Sequence, residues 1–433
     1  MKILRALLLF LCLCESSWAA PSAQFQDGEQ WCAIGDSITH GGPYHRYVYL
    51  YYTTRFPHRK IDLFNCGISG DTAGGALRRF EGDILRHKPT VATIMLGMND
   101  VSRGLYEEGA AAPDLQQKRE TALATHSANM RKLAERLQAA GSRLVFLTPS
   151  IYDETAQIPR PNAPGVNGAL GRCAEGARQL AEEFHGSLVD FHAAMGALNT
   201  RMQQADPQFT LIGADRIHPG ETGHLVMAYL LLKAQEAPMF VANLTVDAAG
   251  KDSLSFTRTE EALPFPVPSG AASGLKLVPF MEELNQERLC VTSLAEGSYQ
   301  LSIDGEPVER FTAAQLSAGI NLAEFHSTPQ YKQALAVAAL DERRHELVKQ
   351  LRVIDYVEWK MGREIGDPTE FDHVAAAQKQ LEDPKITGWP KDRVKDYVGI
   401  KPKQQVLRQQ LETVLSEMRQ AALPRAHEFV LGR

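Results

Sequence analysis

Short apolar segments alternate with amphipathic helical segments along residues 30–237. The apolar segments are continuous, which is typical of strands buried on both faces of a sheet. Helical patterns separate them, such as TALATHSANMRKLAERLQAAG, which ends at Gly141 as a helix C-cap does. This alternation predicts a parallel sheet covered by helices on both faces. The predicted strands are WCAIG (31–35), IDLFNCG (61–67), TVATIML (90–96), SRLVFLTPS (142–150) and GSLVDF (186–191).

The pattern changes after residue 237. Short alternating strands follow, among them SLSFTRT, RLCVTSL and SYQLSIDG, and Asp304-Gly305 in the last of these predicts a hairpin turn. Later segments have helical spacing, with solvated charges between apolar positions. We therefore predict an α/β unit over residues 25–237 and a C-terminal region over residues 238–433. That region is predicted to be β-rich at 240–310 and mainly helical at 312–433.

The first 19 residues have the three parts of a secretory signal peptide. Lys2 and Arg5 supply the positive charge, an apolar run follows, and Ser17-Trp18-Ala19 has the small residues of a cleavage site. The apolar run is too short for a membrane span, which needs about 20 apolar residues. We expect an exported protein, periplasmic or extracellular, without a membrane span.

The composition of the chain limits which kinds of ligand and partner it is expected to bind. The chain has 433 residues, 44% hydrophobic and 23% charged, with a net charge of -6, so it carries no basic footprint for nucleic acid. Four cysteines follow the leader, and none has the spacing of metal ligands. We expect neither a cofactor nor a metal, and the oligomeric state is left open.

Four short segments contain residues suited to catalysis. They are GDSITHGG with Ser37, NCGISGDTAGG with Gly70, LGMNDVSRG with Asn99, and DRIHPGETGH with Asp215 and His218. Ser37, Gly70 and Asn99 each follow a predicted strand, and ligands bind at this carboxyl edge of parallel sheets. Alone, each segment is also an ordinary turn. Their occurrence together, at one sheet edge, favours a catalytic site.

Ester hydrolysis by a serine needs these residue types. A serine hydroxyl needs a base to take its proton, and a carboxylate orients the base histidine. Asp215 and His218 lie three residues apart in a predicted turn, so the carboxylate can reach one ring nitrogen while the other faces Ser37. The Ser37 N–H, the Gly70 N–H and the Asn99 amide are candidate donors to the oxyanion.

These segments resemble the SGNH (GDSL-type) serine hydrolases over residues 30–237. The resemblance implies a flavodoxin-like three-layer fold and a serine esterase activity. It implies that Ser37 is the nucleophile, Asp215 and His218 the acid and base, and Ser37, Gly70 and Asn99 the oxyanion hole. No position departs from the family pattern, which does not extend over residues 240–433.

The polar segment after the nucleophile suggests how substrate is held. We expect His40, Tyr44, His45 and Arg46 to bind a polar, sugar-like group, and an acetyl ester on carbohydrate to be the substrate. A lipid or thioester acylhydrolase is the alternative enzyme, disfavoured because the segment after Asn99 is small and polar. A non-catalytic glycan-binding or scaffold protein is the alternative of another class, disfavoured by the intact site.

Cys32 and Cys66 test the predicted strand alignment. Cys32 is near the start of the first strand and Cys66 near the end of the second, so we expect an offset of about four residues, or ~13 Å. A disulfide tolerates a Cα separation of at most ~7 Å. We therefore expect no Cys32–Cys66 bridge.

Overall fold

A five-stranded parallel sheet forms the centre of the α/β unit in the computed structural model, which describes residues 23–107, 113–361 and 373–433. The predicted leader lies outside the described residues. The strand order is β2-β1-β3-β4-β5, the flavodoxin-like order, so the predicted fold class is confirmed. The strands are β1 (Gln30–Gly35), β2 (Asp62–Gly67), β3 (Val91–Met95), β4 (Arg143–Leu147) and β5 (Ser187–Val189).

Both faces of the sheet are buried, which explains its continuous apolar strands. Trp31 and Ala33 of β1 pack towards α2, α6 and α7, whereas Cys32 and Ile34 pack towards α3 and α4. Side chains alternate between faces with a period of two, so each face needs its own apolar layer. The helices are α1 (Ser37–Gly41), α2 (Tyr44–Arg55), α3 (Ala73–Arg78), α4 (Leu115–Ala139), α5 (Val166–Glu183), α6 (Phe191–Gln203) and α7 (Glu221–Ala234).

The register of β1 and β2 corrects the expected cysteine offset. Cys32 pairs with Phe64, and Cys66 pairs with Ile34, so the two cysteines are offset by two residues and not by four. Both are buried free thiols on the same face of the sheet. A hydrogen bond with the Cys66 thiol, together with burial, raises the pKa of Cys32 well above its usual value.

The C-terminal region contains two sheets that share a hydrophobic core. One sheet has the order β10-β9-β12-β7 and the other β11-β8-β6. The predicted Asp304-Gly305 hairpin joins β9 and β10, with both residues at positive φ. The strand β12, after the last helix, was not predicted. The strands are β6 (Phe240–Asp247), β7 (Ser253–Thr259), β8 (Gln286–Thr292), β9 (Ser298–Ile303), β10 (Glu306–Thr312), β11 (Ile320–Asn321) and β12 (Ala426–Gly432).

A long helix, α10, connects this sandwich to the α/β unit. Thr328 caps it by accepting a hydrogen bond from the Tyr331 N–H, and Pro329 occupies its first position. It packs against α2, α12 and α13. Within the described ranges, every helix falls short of the length or the apolarity needed to cross a membrane. The C-terminal helices are α8 (Phe280–Leu284), α9 (Ala313–Ala318), α10 (Pro329–Lys360), α11 (His373–Leu381), α12 (Gly388–Ile400) and α13 (Gln404–Ala421).

A buried carboxyl in β8 makes stability depend on pH. Neither carboxyl oxygen of Glu287 has a hydrogen-bond partner, and burial, followed by the nearby Glu260, raises the pKa of Glu287 to about 8. The folded chain therefore holds a proton that the unfolded chain releases near pH 4.5. Stability consequently falls as the pH rises from about 4.5 to about 8.

We expect Glu287→Gln to raise the melting temperature by a few °C at pH 8, and by much less at pH 5. Glutamine keeps the shape but has no charge to neutralise. The measurement is thermal unfolding at both pH values, with Glu306→Gln on the exposed β10 strand as the matched control. An equal change at pH 5 and pH 8 would contradict the raised pKa.

Candidate active site

Ser37 occupies the corner between β1 and α1. It is the first residue of α1, and the Asp36 carboxylate caps that helix by accepting a hydrogen bond from the Ile38 N–H at 3.0 Å. Gly35 is required before it, because a Cβ there would lie 2.1 Å from Thr39 Oγ1. Burial raises the pKa of Asp36 to about 7. The corner therefore presents Ser37 at the carboxyl edge of the sheet.

The turn before α7 brings Asp215 and His218 to this corner. Ser37 Oγ lies 2.7 Å from His218 Nε2, and His218 Nδ1 lies 2.5 Å from Asp215 Oδ2. Asp215 Oδ1 also accepts hydrogen bonds from the N–H groups of Ile217 and His218. Burial opposes ionisation of Asp215, but these hydrogen bonds outweigh it and lower the pKa of the carboxyl below its usual value.

Arg216, which the sequence analysis missed, anchors this turn. Its backbone has a φ of +64°, and its guanidinium is buried. It donates to backbone carbonyls of the segment 153–161, including Asp153 O at 2.8 Å and Ala156 O at 3.1 Å. These hydrogen bonds hold the turn, and with it Asp215 and His218, beside Ser37. An arginine between Asp215 and His218 is visible in the sequence, but its burial has no local signal.

Gly70 and Asn99 follow β2 and β3 and line the same cleft as Ser37. Gly70 has a φ of +76°, which favours glycine. Asn99 Nδ2 donates to Asp71 O at 2.9 Å, and Asn99 Oδ1 accepts from Arg103 at 3.2 Å. An amide nitrogen has two hydrogens, so the second one is available to a ligand. The structure thus brings all five residues of the predicted triad and oxyanion hole to one sheet edge.

Of the four residues predicted to bind substrate, one lines the cleft and three lie elsewhere. His40 lines the cleft, whereas Tyr44 and His45 are buried and bond to Thr39, through its hydroxyl and its carbonyl. Arg46 forms ion pairs with acidic residues of α10, Asp341 at 2.6 Å among them. Tyr44, His45 and Arg46 are therefore not among the residues that line the cleft around Ser37, because α2 is covered by the sheet on one side and by α10 on the other.

The opposite wall of the cleft comes from the C-terminal helices α10 and α12. The cleft has a volume of about 810 Å³. Trp389 is 46% exposed, and its ring stands edge-on to Tyr356 at 5.1 Å between centroids. Lys349, Lys360 and Arg393 add polar positions to the same wall. The sequence analysis assigned this region no role, since its residues are about 300 positions from Ser37.

Among residues 23–107, 113–361 and 373–433, no group of three or more His, Cys, Asp or Glu side chains has the arrangement of a metal site. The chemistry that the described arrangement itself offers is proton transfer from Ser37 to His218, with hydrogen-bond donors beside it.

This fold and this site are those of an α/β acylhydrolase. Residues 33–226 match the GDSL-like lipase/acylhydrolase family, the SGNH hydrolases. The chain is accordingly a hydrolase that acts on ester bonds, and the predicted family is confirmed.

The chain is similar to proteins of two different lengths. An acetylxylan esterase of Geobacillus stearothermophilus is 28% identical over 221 residues, which cover 48% of this chain and 93% of that protein. The crystal structure of the acetylxylan esterase Axe2 from the same organism is 26% identical, covers 48% of this chain and 95% of that one, and has a TM-score of 0.39. The structure of a gut microbial diltiazem-metabolizing enzyme is 33% identical, covers 95% of this chain and 98% of that one, and has a TM-score of 0.86. The last likeness includes the C-terminal region.

Proposed function

We propose that the protein is an exported serine esterase that removes acetyl groups from carbohydrate. The observation that carries the proposal is the chain of contacts from Ser37 Oγ to His218 Nε2 at 2.7 Å and from His218 Nδ1 to Asp215 Oδ2 at 2.5 Å. This is the geometry that a nucleophile, a base and an orienting carboxylate require.

In the proposed reaction, His218 Nε2 takes the proton of Ser37 while Ser37 Oγ attacks the ester carbonyl. The Ser37 N–H, the Gly70 N–H and the free N–H of Asn99 donate to the negative oxygen of the tetrahedral intermediate. His218 then gives its proton to the leaving alcohol, and the C–O bond of the ester breaks. Water attacks the acyl-serine with His218 again as the base, which releases the acid and restores Ser37.

The cleft itself supports a carbohydrate as the alcohol part of the ester. The exposed Trp389 offers a flat apolar face beside polar side chains, and a sugar ring has an apolar C–H face bordered by hydroxyls. Among the described residues of this wall, the charged Lys349, Lys360 and Arg393 interrupt the apolar side chains that a long acyl chain would contact. The acetylxylan esterase relative supports the same substrate class.

Export is part of the proposal and rests on the leader-like residues 1–19. The mature N-terminus, read by mass spectrometry of secreted protein, tests it. An intact Met1 on exported protein would contradict cleavage.

A substrate panel with Trp389→Ala tests the carbohydrate assignment. We expect acetate release from acetylated xylo-oligosaccharides and from p-nitrophenyl acetate. The variant should raise KM for the oligosaccharide about ten-fold, equivalent to about 1.4 kcal/mol, and change KM for the aryl ester less than two-fold. Phe240→Ala, an exposed aromatic outside the cleft, is the matched control and should change neither. A kcat/KM that rises with acyl length to eight carbons would favour a lipid hydrolase instead.

Diltiazem is a second candidate substrate. The relative that metabolises it matches 95% of this chain, including the helices that form the outer cleft wall. Adding diltiazem to the panel decides between the two. Turnover of diltiazem with a higher kcat/KM than that of the oligosaccharides would replace carbohydrate as the proposed substrate.

A further inference from the structure

The loop that carries Gly70 is held from the C-terminal region. This loop, residues 67–71, joins β2 to α3. Its conformation sets the direction of the Gly70 N–H. Three separate contacts tie it to the α10–α12 helices, which lie more than 280 residues further along the chain.

The first contact is made by Arg352 of α10. Its Nε donates to Gly67 O at 2.9 Å, and its terminal nitrogens form a bidentate pair with Asp83 at 2.5 and 2.7 Å. Both side chains are buried. Burial opposes ionisation of Asp83, but Arg352, with Arg79 and Arg86, holds the pKa of that carboxyl well below its usual value. Gly67 O is therefore bonded to a fixed cation.

Asp83 passes this constraint to the other end of the loop. Arg79 pairs with Asp83 and also donates to Asp71 Oδ2 at 2.8 Å. The buried series Arg352, Asp83, Arg79 and Asp71 therefore spans the loop from Gly67 to Asp71. Asp71 is also the residue whose carbonyl accepts from Asn99 Nδ2.

The second contact is apolar. The side chain of Ile68 is fully buried in the hydrophobic cluster of the C-terminal helices, with Val353, Val357 and Tyr397 among its members. A loop residue of the α/β unit thus belongs to the core of the other region. Ile68 holds the middle of the loop by packing, whereas the ionic series holds its two ends, Gly67 and Asp71.

The third contact runs through His40. The Ser69 N–H donates to His40 Nδ1 at 3.1 Å, and the imidazole ring stacks on Tyr356 of α10 with centroids 6.2 Å apart. Burial and the nearby Arg352 lower the pKa of His40 to about 3, so the ring is neutral and its Nδ1 accepts. Ser69 immediately precedes Gly70.

We propose that Arg352 is a positioning residue for ester hydrolysis, and that α10 completes the oxyanion hole by holding the 67–71 loop. The proposal rests on the proposed function, since it assigns Gly70 as an oxyanion donor. The C-terminal helices then have two roles. They form the outer wall of the cleft, and they position the Gly70 N–H on its inner wall.

The Arg352→Gln variant tests the proposal, and Arg344→Gln is its matched control. Arg344 lies on the same helix, is equally buried, donates to Asp341 at 2.8 Å and stacks on Tyr49, and none of its contacts involves the 67–71 loop. We expect Arg352→Gln to lower kcat for p-nitrophenyl acetate by about 10- to 100-fold, with KM within two-fold, since a donor displaced by about 1 Å loses most of its effect. Arg344→Gln should lower the melting temperature and leave kcat within about three-fold.

A tetrahedral inhibitor separates positioning from general loss of stability. Phenylboronic acid forms an anionic tetrahedral adduct on a nucleophilic serine, so its Ki reports the oxyanion hole. We expect Ki to rise with Arg352→Gln by the same factor by which kcat falls, and to stay constant with Arg344→Gln. Arg352→Lys keeps the charge but loses the fork and should fall between them.

Ile68→Ala removes the apolar contact of the loop instead of the ionic one. It replaces Arg352→Gln as the test if that variant does not fold. It should lower kcat and raise Ki in parallel. An unchanged kcat in folded Arg352→Gln or Ile68→Ala protein, or equal losses in the Arg344 and Arg352 variants, would overturn the proposal. Full activity of Ser37→Ala would instead overturn the proposed function.

Discussion

Ser37→Ala is expected to lower kcat for p-nitrophenyl acetate by about 10⁴- to 10⁶-fold, the range seen when a serine hydrolase loses its nucleophile. Without the hydroxyl there is no acyl-enzyme, so the remaining rate comes from water and the oxyanion donors. The fold should be unaffected, because Asp36 and not Ser37 caps α1. Steady-state kinetics with a thermal melt measures both.

Ser69→Ala is the matched control for this variant. Ser69 lines the same cleft but its hydroxyl bonds to His40 at 2.9 Å, away from His218. We expect its kcat to stay within about ten-fold of wild type. A fluorophosphonate probe should label Ser37 in wild type and Ser69→Ala, and should leave Ser37→Ala unlabelled. Labelling of another serine in Ser37→Ala would reassign the nucleophile.

Asp215→Asn should reduce kcat by about 10³- to 10⁴-fold, because it favours the wrong tautomer of His218. The amide would donate to Nδ1, where the carboxylate now accepts at 2.5 Å. The ring would then carry its proton on Nε2, which faces Ser37 and could no longer take the serine proton. The measurement is kcat and KM on the aryl acetate, with KM expected to change little.

Asp215→Ala distinguishes a tautomer effect from a loss of support. Alanine leaves both tautomers available, so its kcat should exceed that of Asp215→Asn. Asp206→Asn, at an exposed carboxylate before the turn, is the control and should match wild type. A smaller loss in Asp215→Asn than in Asp215→Ala would contradict the tautomer argument.

The sheet and the five residues at its edge were accessible from the sequence because their signals are local. Continuous apolar runs mark strands buried on both faces, and parallel strands bring their carboxyl ends together. Ser37, Gly70 and Asn99 needed only this rule to be placed side by side. The turn spacing of Asp215 and His218 supplied the rest.

Contacts between distant parts of the chain could not be predicted from the sequence. Tyr44, His45 and Arg46 look like a polar rim, but α10 covers the outer side of α2, and Arg46 meets Asp341 across 295 positions. Nothing near residue 46 reveals that partner. The strand offset of Cys32 and Cys66 failed for a similar reason, because register depends on how two whole strands pack.

The charges of the C-terminal helical segments were predicted to be solvated, and for four residues of α10 this prediction is wrong. Asp341, Arg344, Arg352 and Asp355 interrupt an otherwise apolar face of the helix at helical spacing, and all four are buried. Buried charges in a helix are paired in folded proteins. Such a pattern predicts ion pairs with another unit, although it does not identify Asp83 as a partner.

The position of β12 has a consequence for the order in which the protein matures. β12 lies between β9 and β7 in its sheet, and Ala426 pairs with Thr259. Among the described strands, β12 is therefore the one neighbour of β7 in that sheet. The ribosome makes α10 to α13 before β12. The sandwich therefore closes only after those helices have been synthesised, whereas all described strands and helices of the α/β unit, from Gln30 to Ala234, are synthesised earlier.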